Sequence, residues 1–304
     1  MKLLRRLAGV VTPFLLLALM PNISSAQARV DDNVVFGMYS GLGLLMDVHY
    51  PEEPNGYGIV FIYGSGFHTS TDWDALPLKE SGYDHNPLRA LVNGGYTVFV
   101  INHRAAPRFR YPANIEDAQR AVRFVRSHAD EFGIDPDRIG AYGGSSGGFL
   151  SNMLGLMDGD GDYRDSGASE TAAKVQAVVS LYSPTDLRLP FPTQGATLGS
   201  YLGAPSLGLN SNPDAKRLYD EASPAYYVSN DDPPLLLIHG DADPVVPYEQ
   251  STHLYELLNR EGVTTRLITI PGGGHGSSIL QGDTPYAFHD ATVEWFDRYL
   301  RGNR

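Results

Sequence analysis

Gly143-Gly144-Ser145-Ser146-Gly147-Gly148 decides how the rest of this chain is read. The six residues follow Asp137-Arg-Ile-Gly-Ala-Tyr142, a short run of strand character, and lead into residues 149–156, whose pattern is helical. A strand that turns sharply through Gly-x-Ser-x-Gly into a helix lifts the serine onto a strained turn, with its hydroxyl presented for reaction. The glycines meet a steric need, because a Cβ beside the serine would collide with the strand or the helix. The motif fits twice. Gly143 and Gly147 bracket Ser145, Gly144 and Gly148 bracket Ser146, and bracketing alone leaves both serines as candidates.

Outward from this turn, strand-like runs recur at 44–50, 57–63, 96–101, 138–142, 175–181, 234–238 and 265–270. Helical patterns lie between or after them at 86–92, 115–131, 149–156, 248–260 and 284–300. Several strands are continuous apolar runs, as expected of central parallel strands covered on both faces. The alternation predicts an α/β fold with a doubly wound, mostly parallel sheet flanked by helices. The first two strands, separated by a Pro/Asn/Gly turn, read as a hairpin. Ile115, Ala118, Ala121, Val122 and Val125 make an apolar stripe at helical spacing and are assigned to the core. Residues 64–85 and 183–232 lack periodicity, and the second stretch is rich in Pro, Gly, Ser and Asn. Loops beyond the carboxyl ends of such strands form pockets or lids, so 183–232 is expected to be a lid-like insertion in one catalytic domain, 29–304.

Residues 1–28 are excluded from that domain. Lys2, Arg5 and Arg6 make a basic start, 7–20 an apolar run and Ala26-Gln27-Ala28 a small-residue cleavage site, the pattern of a signal peptide. The chain is therefore expected to be exported, to the periplasm or beyond. It has no cysteine, which excludes disulfides, thiolate metal sites and a cysteine nucleophile. Removing residues 1–28 takes away three cations and no acids, moving the formal charge from −12 to −15. Nucleic acid and anionic membrane surfaces are poor partners for such a chain.

A serine becomes a nucleophile when a base takes its proton, and the base is oriented by an acid. On a fold of this kind the chain order is serine, acid, histidine. Four histidines follow the turn: His239, His253, His275 and His289. His275 lies in Pro271-Gly-Gly-Gly-His-Gly276, directly after a strand, where a loop can carry it to the serine. His253 and His289 fall within helical patterns, and His239 reads as a loop-bracing residue at a strand end. The strand at 234–238 runs into His239-Gly-Asp-Ala-Asp-Pro-Val-Val-Pro247, which offers Asp241 and Asp243 as acids; Asp241 reads as the turn former. Oxyanion donors are expected from the backbone N–H after the nucleophile and from the loop Ile62-Tyr-Gly-Ser-Gly-Phe67.

Together these segments resemble the α/β-hydrolase esterases of the hormone-sensitive-lipase and BD-FAE (feruloyl and acetyl esterase-like) groups. Asn102-His-Arg-Ala-Ala-Pro107, Tyr111-Pro-Ala113, Glu116-Asp117 and Phe132-Gly-Ile-Asp-Pro-Asp-Arg-Ile139 are similar, in order, to segments of those groups. The resemblance runs from about residue 44 to 300. It implies that Ser145 is the nucleophile, Asp243 the acid and His275 the base, with Ser146 donating its backbone N–H. Ser65 and Gly66 are the implied further oxyanion donors. By this reading Ser146→Ala keeps most of the turnover. The oxyanion loop departs from the groups' H-G-G-G-[FW]: here it is Tyr63-Gly-Ser-Gly-Phe67, without the bracing histidine and with a Cβ at Ser65.

The sequence thus predicts a serine hydrolase of carboxylic esters with small acyl groups, acting on small-molecule or glycan esters without metal or cofactor. Phe67, His68, Trp73 and Tyr182 are candidates for the pocket wall. Asp158-Gly-Asp-Gly-Asp-Tyr-Arg-Asp165 spaces carboxylates like a calcium loop but lacks glycine at the sixth position and glutamate at the twelfth, and reads as a solvated acidic turn. Two other readings share the motifs. One is a prolyl-oligopeptidase-like peptidase, whose usual large extra domain is not expected in a chain of this length. The other is a non-catalytic binding protein on a hydrolase scaffold, suggested by the altered oxyanion loop.

Overall fold

The computed structural model describes residues 29–72, 74–80, 87–158, 172–190, 194–204, 212–282 and 287–302. The proposed signal peptide and Trp73 lie outside the described residues, as does the acidic run beyond Asp158. Eight strands form one sheet: β1 (Val30–Tyr39), β2 (Leu42–His49), β3 (Gly58–Ile62), β4 (Thr97–Ile101), β5 (Ile139–Gly144), β6 (Ala177–Leu181), β7 (Leu235–Gly240) and β8 (Thr265–Ile270). Their order is β1-β2-β4-β3-β5-β6-β7-β8, with β2 antiparallel to both neighbours and every other pairing parallel. Helices are α1 (Leu88–Asn93), α2 (Ala113–Ser127), α3 (Ala129–Phe132), α4 (Ser146–Leu156), α5 (Gln194–Leu202), α6 (Pro213–Glu221), α7 (Glu249–Arg260) and α8 (Ala287–Phe296).

The continuous apolar strands divide their side chains between two cores. Val60 and Ile62 of β3, Phe99 and Ile101 of β4, and Leu235 and Leu237 of β7 enter one core, with the stripe of α2 and with Phe149, Leu150, Met153 and Leu154 of α4. Ile59 and Phe61, Val98 and Val100, and Leu236 and Ile238 enter the other, with Leu91 of α1 and Phe288, Trp295 and Phe296 of α8. A period of two with both faces covered is why these runs have no polar alternation. Complete burial of each aliphatic side chain contributes on the order of 1.5–3 kcal/mol.

The expected hairpin between residues 44–50 and 57–63 does not form. β4 inserts between β2 and β3, with Met46 opposite Ile101 and Val60 opposite Phe99. The hairpin is instead β1–β2, closed by Ser40 and Gly41 at φ 45° and 86°, the left-handed pair that a two-residue strand turn needs. β1 was not expected: it is an edge strand with only Phe36 fully buried, and its Asp31-Asp32-Asn33 run hides the alternation. The segment 183–232, read as aperiodic, carries α5 and α6. α6 starts where the Asn212 side chain accepts the N–H groups of Asp214 and Ala215, with Pro213 in its first turn, a start signal present in the sequence.

Two buried ion pairs pin the loops around the sheet. Lys79 Nζ meets both Asp47 oxygens, at 2.9 and 2.7 Å, holding the 74–80 segment to β2. Arg104 binds Asp117 through its guanidinium and its backbone N–H, reaches Glu116 at 2.8 Å, and lies 4.0 Å from the Tyr39 ring centre. The first pattern segment, residues 102–107, is thereby tied to α2.

Candidate active site

Ser145 sits between β5 and α4 with φ 54° and ψ −127°, a conformation that side chains other than glycine rarely adopt. Its N–H is held by Leu181 O at 2.9 Å. The surrounding glycines now separate the two serines. A Cβ on Gly143 would lie 2.3 Å from the Gly147 carbonyl, and one on Gly147 would lie 2.1 Å from Ile62 O, so both would strike backbone. A Cβ on Gly144 would meet the Tyr182 hydroxyl at 2.8 Å, and one on Gly148 would meet Ser183 Cβ at 2.8 Å, Ser180 Oγ at 2.9 Å and Gly143 O at 3.0 Å. All are looser than the contacts of 2.1 and 2.3 Å at Gly147 and Gly143. The stricter requirement therefore belongs to the pair around Ser145.

Ser145 Oγ lies 3.0 Å from His275 Nε2, and His275 Nδ1 lies 2.7 Å from Asp243 Oδ2. A carboxylate only accepts, so Nδ1 carries the proton, and in the neutral ring Nε2 is left as the acceptor facing the serine hydroxyl. The Asp243 side chain is fully buried, whereas that of His275 is 17% exposed. Asp243 Oδ1 accepts the N–H groups of Val245 and Val246 at 2.8 and 2.9 Å. Burial pushes its carboxyl up, but hydrogen bonds from His239 and His275, the His275 charge and the Val246 N–H outweigh that and hold it well below the usual carboxylate range.

The two loops meet where Gly240 has no side chain. A Cβ on Gly240, at the end of β7, would lie 2.1 Å from Gly273 O, and Ala242 N–H donates to that same oxygen at 3.1 Å. The glycines before His275 serve their own turn: a Cβ on Gly273 would lie 2.9 Å from Ile270 Cγ2 and one on Gly274 2.3 Å from Ser278 Oγ. Asp241 ties the same crossing by accepting Gly272 N–H at 2.7 Å. His239, fully buried, has one ring nitrogen 2.7 Å from Ser251 Oγ; the other donates to Val246 O at 3.0 Å and lies 3.3 Å from Asp243 Oδ2. His253 is drawn elsewhere, 3.3 Å from Asp186.

The loop 63–68 lies against the elbow. A Cβ on Gly64 would lie 2.6 Å from Gly144 O, so only glycine lets the two backbones touch. Ser65 N–H, expected as an oxyanion donor, is taken by Ser146 Oγ at 2.8 Å, and Ser65 Oγ is buried without a partner. Gly66 N–H is engaged by no acceptor among the described residues. In place of the histidine absent at position 63, His68 Nδ1–H braces the loop from its other end, donating to Gly66 O at 2.7 Å. Phe67 differs from its pocket-wall expectation: at φ 65° its ring turns into the core, stacked on Tyr201 with centroids 4.4 Å apart and edge-on to Phe149. Tyr182, buried at φ 36°, sets its ring edge-on to His275 with centroids 4.8 Å apart, and so buttresses the imidazole. Phe67, Ser145 and Tyr182, all with positive φ, lie on three of the loops that build this site.

Among the described residues, no group of three or more His, Cys, Asp or Glu side chains converges as a metal site, and no helix is long and apolar enough to cross a membrane. Asp158 pairs with Lys174 at 3.0 Å.

The BD-FAE family model matches residues 46–258. Esterase LipC of Mycobacterium tuberculosis is 31% identical over 198 residues, covering 64% of this chain and 48% of that protein. The carboxylic ester hydrolase assigned as LipM in the same organism is 33% identical over 185 residues, covering 60% and 42%. The matched stretch thus spans less than half the length of these curated relatives. A solved structure described as a truncated form of a carbohydrate esterase from gut microbiota superposes with a TM-score of 0.72 at 31% identity, over 90% of this chain and 97% of that one.

Proposed function

Because the chain belongs to the BD-FAE family and has the α/β-hydrolase fold, we propose that it is a serine esterase that cleaves carboxylic esters with small acyl groups. The observation that carries the reading is the hydrogen-bonded series Ser145–His275–Asp243, set on a strained elbow. In the proposed reaction Ser145 Oγ attacks the ester carbonyl while His275 Nε2 takes its proton. Asp243 keeps the imidazole in the required tautomer and stabilises its charged form. The tetrahedral oxyanion is met by the backbone N–H groups of Gly66 and Ser146. His275 then protonates the leaving alcohol, and water, activated by the same imidazole, releases the acid from Ser145.

An esterified carbohydrate is the favoured natural substrate class, supported by the likeness to a carbohydrate esterase structure. Export, read from residues 1–28, belongs to the same proposal and is tested by the mature N-terminus of protein recovered outside the cytoplasm.

The test is a panel of chromogenic acyl esters and acetylated glycans against wild type and Ser145→Ala. Acetyl and butyryl esters are expected to be hydrolysed faster than long-chain ones, with Ser145→Ala losing roughly 10⁴-fold or more in kcat. A folded wild type inert toward every ester, or a fully active Ser145→Ala, would overturn the reading.

A further inference from the structure

The bond between Ser65 and Ser146 joins residues 81 positions apart and lies where the oxyanion is expected to be held. Its setting shows what it controls. The oxyanion loop is anchored at one end by Gly64 against the elbow backbone and at the other by the Phe67 ring in the core. Between those anchors packing does little, since nothing lies within 4 Å of where a Cβ on Gly66 would stand. Hydrogen bonds set the remaining peptide planes. Ser65 O accepts His68 N–H at 3.2 Å, and Gly66 N–H points the opposite way across that planar peptide. The preceding plane is set by Ser65 N–H donating to Ser146 Oγ, while the Ser65 hydroxyl has no partner and contributes no restraint.

We propose that the Ser146 hydroxyl is a positioning residue for the oxyanion loop: it ties Ser65 N–H to the elbow and thereby aims Gly66 N–H at the reacting carbonyl. Ser146 then has two functions, a main-chain donor and a side-chain tether. Its side chain is almost fully buried, at 3% exposure, so the tether is shielded from competing water. This rests on the esterase reading above, and it replaces the expectation that Ser146→Ala is nearly silent. Donors aimed in advance at the developing charge act on the transition state and leave substrate binding little changed.

The experiment measures kcat and KM on an acetyl ester, and the dissociation constant of phenylboronic acid, which forms a tetrahedral adduct on a reactive serine. Wild type, Ser146→Ala, Ser146→Thr and Ser65→Ala are compared as the full chain, with melting temperatures. Ser146→Ala is expected to lower kcat about tenfold with KM within about twofold, and to weaken boronate binding in parallel. Ser146→Thr, which keeps a hydroxyl, restores most of both. Ser65→Ala, which keeps the N–H, loses less than Ser146→Ala. Unchanged kcat and boronate affinity in Ser146→Ala overturn the proposal, as does a Ser65→Ala loss equal to that of Ser146→Ala. A wild type inert toward esters would count against the esterase reading alone, because boronate binding still reports on the tether.

Discussion

The two loops that converge on Ser145 are built in opposite ways. On the acid–base side the buried side chains are well partnered: the Asp243 carboxylate receives two backbone N–H groups and two imidazoles, and both ring nitrogens of His239 are engaged. On the oxyanion side a buried hydroxyl has none, and Gly66 and Phe67 stand in succession at φ 62° and 65°. In the proposed reaction the first arm must keep the Nδ1 proton of His275 hydrogen-bonded to Asp243 while Nε2 takes and returns another, and saturation does that. The second must, in that reaction, leave a donor unsatisfied for a charge that exists only transiently. It is therefore held by its flanks, through the Phe67 ring, His68 and the bond from Ser65 N–H to Ser146 Oγ, and Gly66 N–H is left open among the described residues. Full satisfaction is not the design rule at the donor side of such a site.

Disturbing the saturated arm is expected to cost most. Asp243→Asn puts an NH2 donor or a weak acceptor opposite His275 Nδ1 and is expected to lower kcat by roughly 10²–10⁴, measured on an acetyl ester. It also carries a pH signature. The Asp243 pKa is depressed by folding, so its stabilisation is present above the unfolded carboxyl value of about 4 and is lost as pH falls through the folded value. The stability difference between wild type and Asp243→Asn, followed by urea melts, is therefore expected to shrink as pH drops below about 4; a difference independent of pH would break the account.

His239→Ala removes a brace without touching the serine. A loss of about 2 kcal/mol in stability is expected, from the unpaired Val246 carbonyl and Ser251 hydroxyl and the cavity left behind, with kcat down roughly tenfold. Were kcat unchanged, saturation on this arm would be structural only. The smallest effect belongs to the oxyanion arm: Ser65→Ala deletes an unpartnered hydroxyl, and its melting temperature is expected to equal or slightly exceed that of wild type. A clear fall in melting temperature would mean that the hydroxyl has a partner after all.

What the sequence disclosed follows the same divide. Buried parallel strands, the α2 stripe and the loops bearing Ser145, Asp243 and His275 were legible, because apolar runs and strand-end motifs are local signals. The placement of β4 between β2 and β3 was not, since pairing between distant strands leaves no mark on either one. β1 is an edge strand with exposed, polar positions, and α5 is nine residues containing two glycines, so neither shows its period. Phe67 was misread for a related reason: adjacency to the oxyanion loop does not say which way a ring points when its backbone is left-handed. The Ser65–Ser146 bond was invisible because it depends on the approach of two loops, although both serines stood in plain view.

One short piece of pairing has a consequence for how this protein can change over generations. His68 and Ala106 form an isolated parallel bridge, with Phe67 O accepting Ala106 N–H at 3.0 Å and Ala106 O accepting Thr69 N–H at 2.9 Å. Two residues before Ala106, Arg104 is riveted to α2. The oxyanion loop is thus stitched to the framework by Thr69, and Arg108 donates to Thr71 O at 3.1 Å. The chain is anchored again at Leu78, whose N–H donates to Asn102 Oδ1 at 3.0 Å, and at Lys79. On the proposed esterase reading, the exposed side chains between these anchors can diversify over generations, and with them the choice of ester, while the elbow and the oxyanion loop inherit an unchanged mount.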